Sequence, residues 1–175
     1  GSGALLEADM VVDCAGGATG EVAALAGVPL PIDRVPGRLV YTGPVATTLR
    51  RPIHAPGVHF RPDGAGRVVL AEGAHDHTWR ETAESWPPER SLAAVAEHLP
   101  ALAGARVEAT RIGVRPMPRD EKPVLGAVPG LEGFYVVVSH SGVTLGPLWG
   151  RIASAELLDG VPDPRLAPYR PARFL

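Results

Sequence analysis

The sequence has little from which a metal centre, a disulfide framework or a nucleic-acid surface is built. One cysteine, Cys14, among 175 residues excludes an internal disulfide framework and any Cys-based zinc or iron–sulfur cage. A formal net charge of −2 offers no basic surface for nucleic acid or an anionic membrane. No apolar run approaches the ~18 residues that a membrane span needs. We therefore expect no nucleic-acid partner, no membrane partner and no metal, and a single thiol fits a reducing cytoplasm.

Glycine and proline, in contrast, are abundant. The chain has 21 Gly and 19 Pro, roughly twice the usual share, which predicts many turns and short elements. A hydrophobic content of 45% with 21% charged residues is typical of a globular domain.

Two short apolar runs predict strands that are buried on both faces, as in a parallel sheet. They are residues 10–15 and 134–138, and each is followed by a glycine-containing turn. We expect the two strands to be neighbours whose turns converge on one edge of the sheet. In this interpretation Cys14 is a small buried hydrophobe.

The segments around these strands read as short helices and irregular turns. After the first run, Thr19 is positioned to cap a helix over residues 21–26. Residues 113–120 are rich in proline and predict an irregular segment, and residues 139–147 predict a turn before a helix over 148–158. The tail, 162–175, predicts loosely ordered turns.

The middle of the chain predicts an antiparallel sheet. Strand patterns occupy residues 38–42, 58–62, 67–71 and 107–112, and an Asp-Gly turn at 63–66 predicts a hairpin. Apolar positions three, four and seven apart predict an amphipathic helix over residues 91–99. The expected fold class is mixed α+β and α/β, with parts at residues 1–35, 36–112 and 113–175.

Histidines and tryptophans give weaker signals. His75 and His77 are spaced like two metal ligands on one strand face, but no third ligand has a fitting spacing, which favours an exposed polar turn. His54 and His59 read as ordinary loop histidines. Trp79, Trp86 and Trp149 read as packing residues.

Four segments, in order, resemble the D-amino-acid oxidase, glycine oxidase and sarcosine oxidase family of FAD-dependent oxidoreductases. They are residues 8–16, which end in Ala-Gly; 37–40; 113–126, with Gly-Val-Arg-Pro, Asp120 and Pro-Val-Leu-Gly; and 139–145 with Gly150. Together they extend over nearly the whole chain. The resemblance implies a substrate-binding sheet in residues 36–112, and flavin-contacting parts of an FAD-binding domain in residues 1–35 and 113–175.

The resemblance implies hydride transfer from an amine or amino acid to non-covalent FAD. Arg115 would bind the substrate carboxylate, because a guanidinium matches a carboxylate with two hydrogen bonds. No catalytic side chain is implied, since the flavin carries the chemistry, and an acid–base role for His140 is not favoured. The implied cofactor-contacting residues are Ala15, Gly16, Gly113, His140, Ser141, Gly142, Val143 and Thr144.

The family's opening strand and G-x-G-x-x-G turn have no counterpart in this sequence. We therefore expect a C-terminal half that does not retain FAD alone, and whose uncovered strands pair with the missing N-terminal half or another copy of the chain. Two alternatives stay open. One is a truncated, non-enzymatic module that binds a small carboxylate or a partner chain, and the other is an unrelated α+β domain.

Overall fold

A computed structural model describes residues 3–55, 58–72 and 87–175, and it confirms the mixed α and β fold. The strands are β1 (Val11–Asp13), β2 (Ile32–Thr42), β3 (Ile53–Ala55), β4 (Val58–Pro62), β5 (Val68–Glu72), β6 (Val107–Pro118), β7 (Val124–Ala127) and β8 (Phe134–Val138). The helices are α1 (Thr19–Leu25), α2 (Pro88–His98) and α3 (Gly142–Leu158), with 3-10 helices at Gly16–Ala18, Pro100–Leu102, Pro164–Tyr169 and Pro171–Phe174. Within the described ranges, no helix combines the length and apolarity that a membrane crossing requires.

The chain divides into two compact units. The terminal unit comprises Gly1–Arg34 and Arg115–Leu175, and the central unit comprises Val35–Val114. The assignment of these parts to flavin contact and substrate binding stays a prediction.

The terminal unit contains a three-stranded sheet in the order β1-β8-β7. β1 runs parallel to β8, with Val11 opposite Phe134 and Asp13 opposite Val136, and β7 is antiparallel to β8. The predicted neighbourhood of the two apolar strands is therefore confirmed. One face of the sheet packs in a core with α1 and the segment after it, formed by Ala23, Val28, Leu30, Val124, Val128, Phe134, Val136 and Val138.

The predicted burial of the first strand on both faces is wrong. β1 covers only Val11–Asp13 and lies at the edge of its sheet. Val11 is 50% exposed and Val12 is 41% exposed, and Cys14 is exposed instead of being a buried hydrophobe. An apolar run indicates that a strand is suited to burial, but it does not indicate whether other strands pair with it on both sides.

Two helix starts also differ from the predictions. The N-cap of α1 is Ala18, and Thr19 is the first helical residue, completely buried, with its hydroxyl turned to Asp13. α3 begins at Gly142 instead of residue 148, so the predicted turn over 139–147 ends six residues early and Pro147 lies inside the helix. The glycines and the proline in this stretch have low helix propensity, which hid the helix from sequence reasoning.

The central unit is built on a five-stranded sheet in the order β3-β4-β5-β2-β6. The predicted hairpin is confirmed, since β4 and β5 pair antiparallel on either side of residues 63–66. The predicted helix is α2, and it packs on one face of the sheet. The core it forms there contains Val40, Val58, Phe60, Val68, Leu70, Leu92, Val95 and Leu102.

Both long strands of this sheet exceed their predicted bounds. β2 begins at Ile32 instead of residue 38, and β6 continues to Pro118. The predicted irregular segment over 113–120 is therefore wrong for most of its length. β6 lies at the edge of the sheet, where a strand tolerates proline because the outer side needs no N–H donor.

The predicted loose order of the tail is also wrong. The tail forms two 3-10 helices and buries Leu166 in a core with Leu125, Trp149 and Ile152. Glu156 of α3 holds the tail by accepting hydrogen bonds from the two terminal guanidinium nitrogens of Arg170, Nη1 and Nη2, with Nη1 2.7 Å from Oε2. Glu156 also accepts hydrogen bonds from the Tyr135 hydroxyl (2.5 Å) and from the Asp163 N–H (3.0 Å).

The Glu156 carboxylate makes stability depend on pH. Hydrogen bonds from Arg170 above all, and also from Tyr135, lower the pKa of Glu156 to about 2. One unit of pKa is worth about 1.4 kcal/mol, so we expect Glu156→Gln to cost about 3 kcal/mol of unfolding free energy at pH 7. A depressed pKa stabilises the folded state above the unfolded pKa, and this contribution disappears as the pH falls from about 5 through 2.

Urea unfolding of the wild type and of Glu156→Gln at pH 7, 4 and 3 measures this effect. The difference in unfolding free energy between the two proteins should become smaller as the pH falls. A difference in unfolding free energy that is the same at all three pH values would contradict a lowered pKa for Glu156.

Gly126 of β7 lies where Arg170 and Pro171 cross the strand. It has a φ of +139°, and an added Cβ would meet Arg170 Nη1 at 2.8 Å and Pro171 Cδ at 3.3 Å. We expect Gly126→Ala to destabilise the protein by about 2 kcal/mol, from backbone strain and displacement of the tail. Gly150→Ala is the matched control, since it is helical with nothing within 4 Å of the new methyl group, and thermal unfolding should show it unchanged or slightly stabilised.

Candidate functional site

Two turns meet at one edge of the sheet in the terminal unit. Because β1 and β8 are parallel, both strands end at the same edge, and each is followed by a turn. A concavity of about 670 Å³ opens there, within the ~300–1,000 Å³ range of small-molecule sites. It is lined by Val12, Cys14, Gly16, Pro116, Val137, Val138, Ser139, His140, Gly142, Val143, Gly146, Trp149, Gly150, Ala153, Ser154 and Leu157.

Asp13 shapes the turn that follows β1. Its side chain is buried, and Oδ1 accepts hydrogen bonds from the Ala15 N–H (3.0 Å) and the Thr19 hydroxyl (3.3 Å). Gly16 follows with a φ of +58°, a conformation that glycine adopts without strain. The chain therefore leaves the strand, passes the concavity at Gly16 and enters α1.

The second turn leads into the amino end of α3. The Ser139 hydroxyl accepts a hydrogen bond from the Ser141 N–H at 3.2 Å. The helical hydrogen bonds begin with Leu145 N–H to the Ser141 carbonyl, and Ser141 makes no side-chain cap. The three preceding N–H groups, of Gly142, Val143 and Thr144, thus have no acceptor within the helix. They and the helix dipole favour a partial negative charge at this end.

One stripe of α3 that borders the concavity consists of small residues, although Val143, Trp149 and Leu157 of the same helix also line it. Gly142, Gly146 and Gly150 recur every four residues and all three line it, followed by Ser154. Apart from the chain neighbours and the local backbone of the helix itself, no atom lies within 4 Å of a Cβ built on any of the three glycines. A flat group or a polypeptide backbone can therefore approach the helix axis closely. Sequence reasoning missed Gly146 and Gly150 as lining residues, although their spacing of four was a usable signal.

The structure brings together part of the predicted site. Gly16, His140, Gly142 and Val143 line the concavity. Ala15, Ser141 and Thr144 are their chain neighbours but do not line it. Gly113 is exposed on β6 and belongs to the central unit.

Arg115 is half-buried near the carboxyl end of β6, and its neighbour Pro116 lines the concavity while Arg115 does not. Burial lowers the pKa of the Arg115 guanidinium. Where a cation has lost part of its hydration, an anion that reaches it binds more strongly. Its role in binding substrate stays a prediction.

Residues 3–55, 58–72 and 87–175 contain no group of three His, Cys, Asp or Glu side chains that could hold a metal ion. His75, Asp76 and His77, and also Trp79 and Trp86, lie outside the described residues. Trp149 packs near Tyr169 in the core, with ring centroids 6.4 Å apart, and also lines the concavity.

Comparisons with known proteins show consistent similarities. The sequence pattern of the FAD dependent oxidoreductase family matches residues 1–156. A glycine oxidase of Pseudomonas aeruginosa is 30% identical over 95% of this chain and 46% of its own length. A glycine oxidase structure from Geobacillus kaustophilus covers 99% of this chain and 48% of its own, with a TM-score of 0.82 and 25% identity. An iminodiacetate oxidase structure from Chelativorans sp. BNC1 has a TM-score of 0.77 at 24% identity, and covers 95% of this chain and 47% of its own. The chain spans about half the length of these relatives.

Cys14 is a natural reporter of the concavity, because it lines the cavity and is the single thiol of the sequence. Cys14 is exposed, but the surrounding protein still removes part of the water around its sulfur; this desolvation, and next the charge of Asp13, raise the pKa of Cys14. Since the thiolate is the reactive form, we expect iodoacetamide to alkylate the folded chain more slowly at pH 7 than the urea-unfolded chain. The rate in the folded chain should continue to rise above pH 9. A folded chain that reacts as fast as the unfolded one at pH 7 would contradict this.

Proposed function

The chain belongs to the FAD dependent oxidoreductase family, and from that premise we propose that it is the substrate-binding and flavin-contacting part of an amine or amino-acid oxidoreductase. The proposed reaction oxidises a C–N bond by transfer of a hydride to the flavin. The curated relatives named glycine oxidase support this reaction class. The observation that carries the proposal is the amino end of α3, which opens on the edge where two parallel strands end.

The residues around the concavity fit the ring system of a flavin. The glycine face of α3 leaves room for a flat group, and the walls from Val12, Val137 and Val138 are apolar. Ser139, His140 and Ser154 are polar members of the lining, and the N–H groups of residues 142–144 stand at the amino end of α3. A few convergent donors in a mostly apolar cleft are typical of cofactor sites.

FAD, when bound, supplies the acceptor for the hydride that leaves the carbon next to the substrate nitrogen. The chain supplies orientation and electrostatics. The N–H groups of Gly142, Val143 and Thr144 would stabilise negative charge that develops on the ring. The apolar walls would exclude water and strengthen these interactions.

Arg115 is proposed to bind the carboxylate of the substrate. Its guanidinium is half-buried and stands next to Pro116, a residue of the concavity. A guanidinium forms two parallel hydrogen bonds to a carboxylate, which fixes the orientation of the substrate as well as its affinity.

Retention of FAD by these 175 residues alone is not expected. No G-x-G-x-x-G turn is present to hold the pyrophosphate, and only the ring end of the cofactor has a proposed site. We further propose that the open edge of β1, with the exposed Val11 and Val12, pairs with a strand that lies outside these 175 residues. An N-terminal half like that of the relatives is the favoured partner, and a second copy of this chain is the alternative.

A non-enzymatic module that binds a small carboxylate without flavin is the second candidate. The half-buried Arg115 favours this second candidate. Binding of a flavin ring would distinguish the oxidoreductase from the non-enzymatic module. Riboflavin is the suitable probe, because it carries the ring without the pyrophosphate that this chain has no motif to hold.

Riboflavin should protect Cys14 from iodoacetamide in the wild type. Gly146→Leu should abolish the protection, because the new side chain would fill the concavity from the glycine face of α3. Arg151→Leu is the matched control, an exposed position of the same helix outside the lining, and should retain the protection. Equal alkylation rates with and without saturating riboflavin in the wild type would refute the flavin site.

In a flavin-loaded enzyme that contains these residues together with an FAD-binding N-terminal half, Arg115→Ala should raise the KM of a carboxylated amine by about 30-fold to 100-fold, the loss expected for a charge-assisted hydrogen-bonded pair. The kcat should change much less, since the contact is made mostly in the ground state. Steady-state kinetics with a matched amine that lacks a carboxylate gives the control, and its KM should stay the same. An unchanged KM for the carboxylated amine would remove Arg115 from the site.

A further inference from the structure

The turn that ends β6 is held by a residue near the end of the chain. Arg173 donates from Nε to Asp120 Oδ2 at 2.6 Å and from Nη2 to Asp120 Oδ1 at 3.1 Å. The same Nη2 donates to the Lys122 carbonyl at 3.0 Å. Both side chains are largely buried, with 19% of Arg173 and 30% of Asp120 exposed. This two-bonded geometry restricts orientation as well as distance.

The turn combines a strained backbone position with two hydrogen bonds of its own. Glu121 has a φ of +62°, which is strained for a residue with a side chain. Within the turn, Asp120 Oδ1 accepts from the Lys122 N–H at 3.2 Å and the Glu121 N–H donates to the Pro118 carbonyl at 2.8 Å. Two contacts from outside hold the turn: the Arg119 N–H donates to the Pro31 carbonyl at 3.1 Å, and Arg173 binds the Asp120 carboxylate. The contact with Arg173 is the one that comes from the tail, and hydrogen bonding to Arg173 lowers the pKa of the Asp120 carboxyl.

Arg173 is itself fixed by the tail. Its guanidinium lies over the Phe174 ring at 4.3 Å, and Nη1 donates to the Arg170 carbonyl at 3.1 Å. Arg170 in turn binds Glu156 of α3. The tail therefore forms a strap, residues 164–174, that runs from α3 to the turn after β6.

The strap acts on the strand segment that carries Arg115. Residues 108–114 of β6 are exposed, whereas residues 115–117 are half-buried and Pro118 is completely buried. The carboxyl end is therefore the anchored end of β6, and Arg115 lies three residues from its last residue. A shift of the turn at 119–122 would be transmitted to Arg115 along an extended backbone.

We infer that Arg173 is a positioning residue for the substrate carboxylate, acting through Asp120 and the anchored end of β6 on Arg115. The inference deepens the proposed function and rests on the role proposed there for Arg115. Arg173 touches no substrate in this assignment, and its contribution is to preorganise the guanidinium that does.

The test follows the Arg115 side chain directly in the 175-residue chain. The Nε–H resonance of Arg115, assigned by its loss in Arg115→Lys, is titrated with acetate as the probe of carboxylate binding. We expect Arg173→Gln to weaken acetate binding at Arg115 by about tenfold. Arg173→Lys keeps the charge but not the two-bonded geometry, and should restore only part of the affinity.

Arg165→Gln is the matched control. Arg165 belongs to the same tail and forms an ion pair with Asp163, but it is exposed and does not contact the turn. This variant should bind acetate as the wild type does. Thermal unfolding of all variants shows whether any loss of acetate affinity comes from a variant that is partly unfolded at the titration temperature.

The outcomes separate the two proposals. If wild-type Arg115 does not respond to acetate, its proposed role in substrate binding fails and this inference fails with it. If acetate binds and Arg173→Gln lowers thermal stability without changing the affinity, Arg173 is purely structural and the inference alone is overturned. Equal weakening in Arg165→Gln and Arg173→Gln would also overturn it, because the effect would then be general to the tail.

Discussion

The parallel pairing of β1 with β8 is the constraint on which the candidate site depends. The two strands are more than 120 residues apart in sequence, yet Val11 lies opposite Phe134 and Asp13 opposite Val136. Parallel pairing brings two strand ends to one edge, so the Gly16 turn and the amino end of α3 form a single concavity. Antiparallel pairing would have put these turns at opposite ends of the sheet. The inner core residues of β8, Phe134, Val136 and Val138, hold this arrangement against α1.

Charge plays a second, separate part in the terminal unit. Two carboxylates, Glu156 and Asp120, each receive two hydrogen bonds from an arginine of the tail. Ion pairs of this kind are largely shielded from water, so removing one partner costs more than removing an exposed pair would. The tail is ordered by these contacts and by Leu166, although its proline-rich sequence suggested only turns.

Local patterns predicted much of the fold, and failures occurred where a distant neighbour decided the outcome. The hairpin at residues 63–66 and helix α2 follow from turn chemistry and apolar spacing, which are properties of adjacent residues. Val11 is exposed because, among the described residues, β1 has a strand neighbour on one side only. The order of the tail depends on Glu156 and on Asp120, which lie 14 and 53 residues from the arginines that bind them. Part of the site, including Gly16 and Gly142, was predicted through resemblance. The glycine face was missed because low helix propensity concealed the first six residues of α3, so that Gly146 and Gly150 were not recognised as members of one helical face.

The composition of that face has a consequence for how α3 responds to a ligand. Its first nine residues, 142–150, include three glycines and Pro147. Each glycine disfavours the helix by about 1 kcal/mol relative to alanine, and the proline disfavours it by about 3 kcal/mol. Pro147 also leaves the Val143 carbonyl without its helical donor. This half of α3 is therefore intrinsically prone to fray, and a group that fills the concavity would order it. Amide hydrogen exchange in residues 142–150 should consequently slow on binding, so that occupancy is coupled to local helix formation.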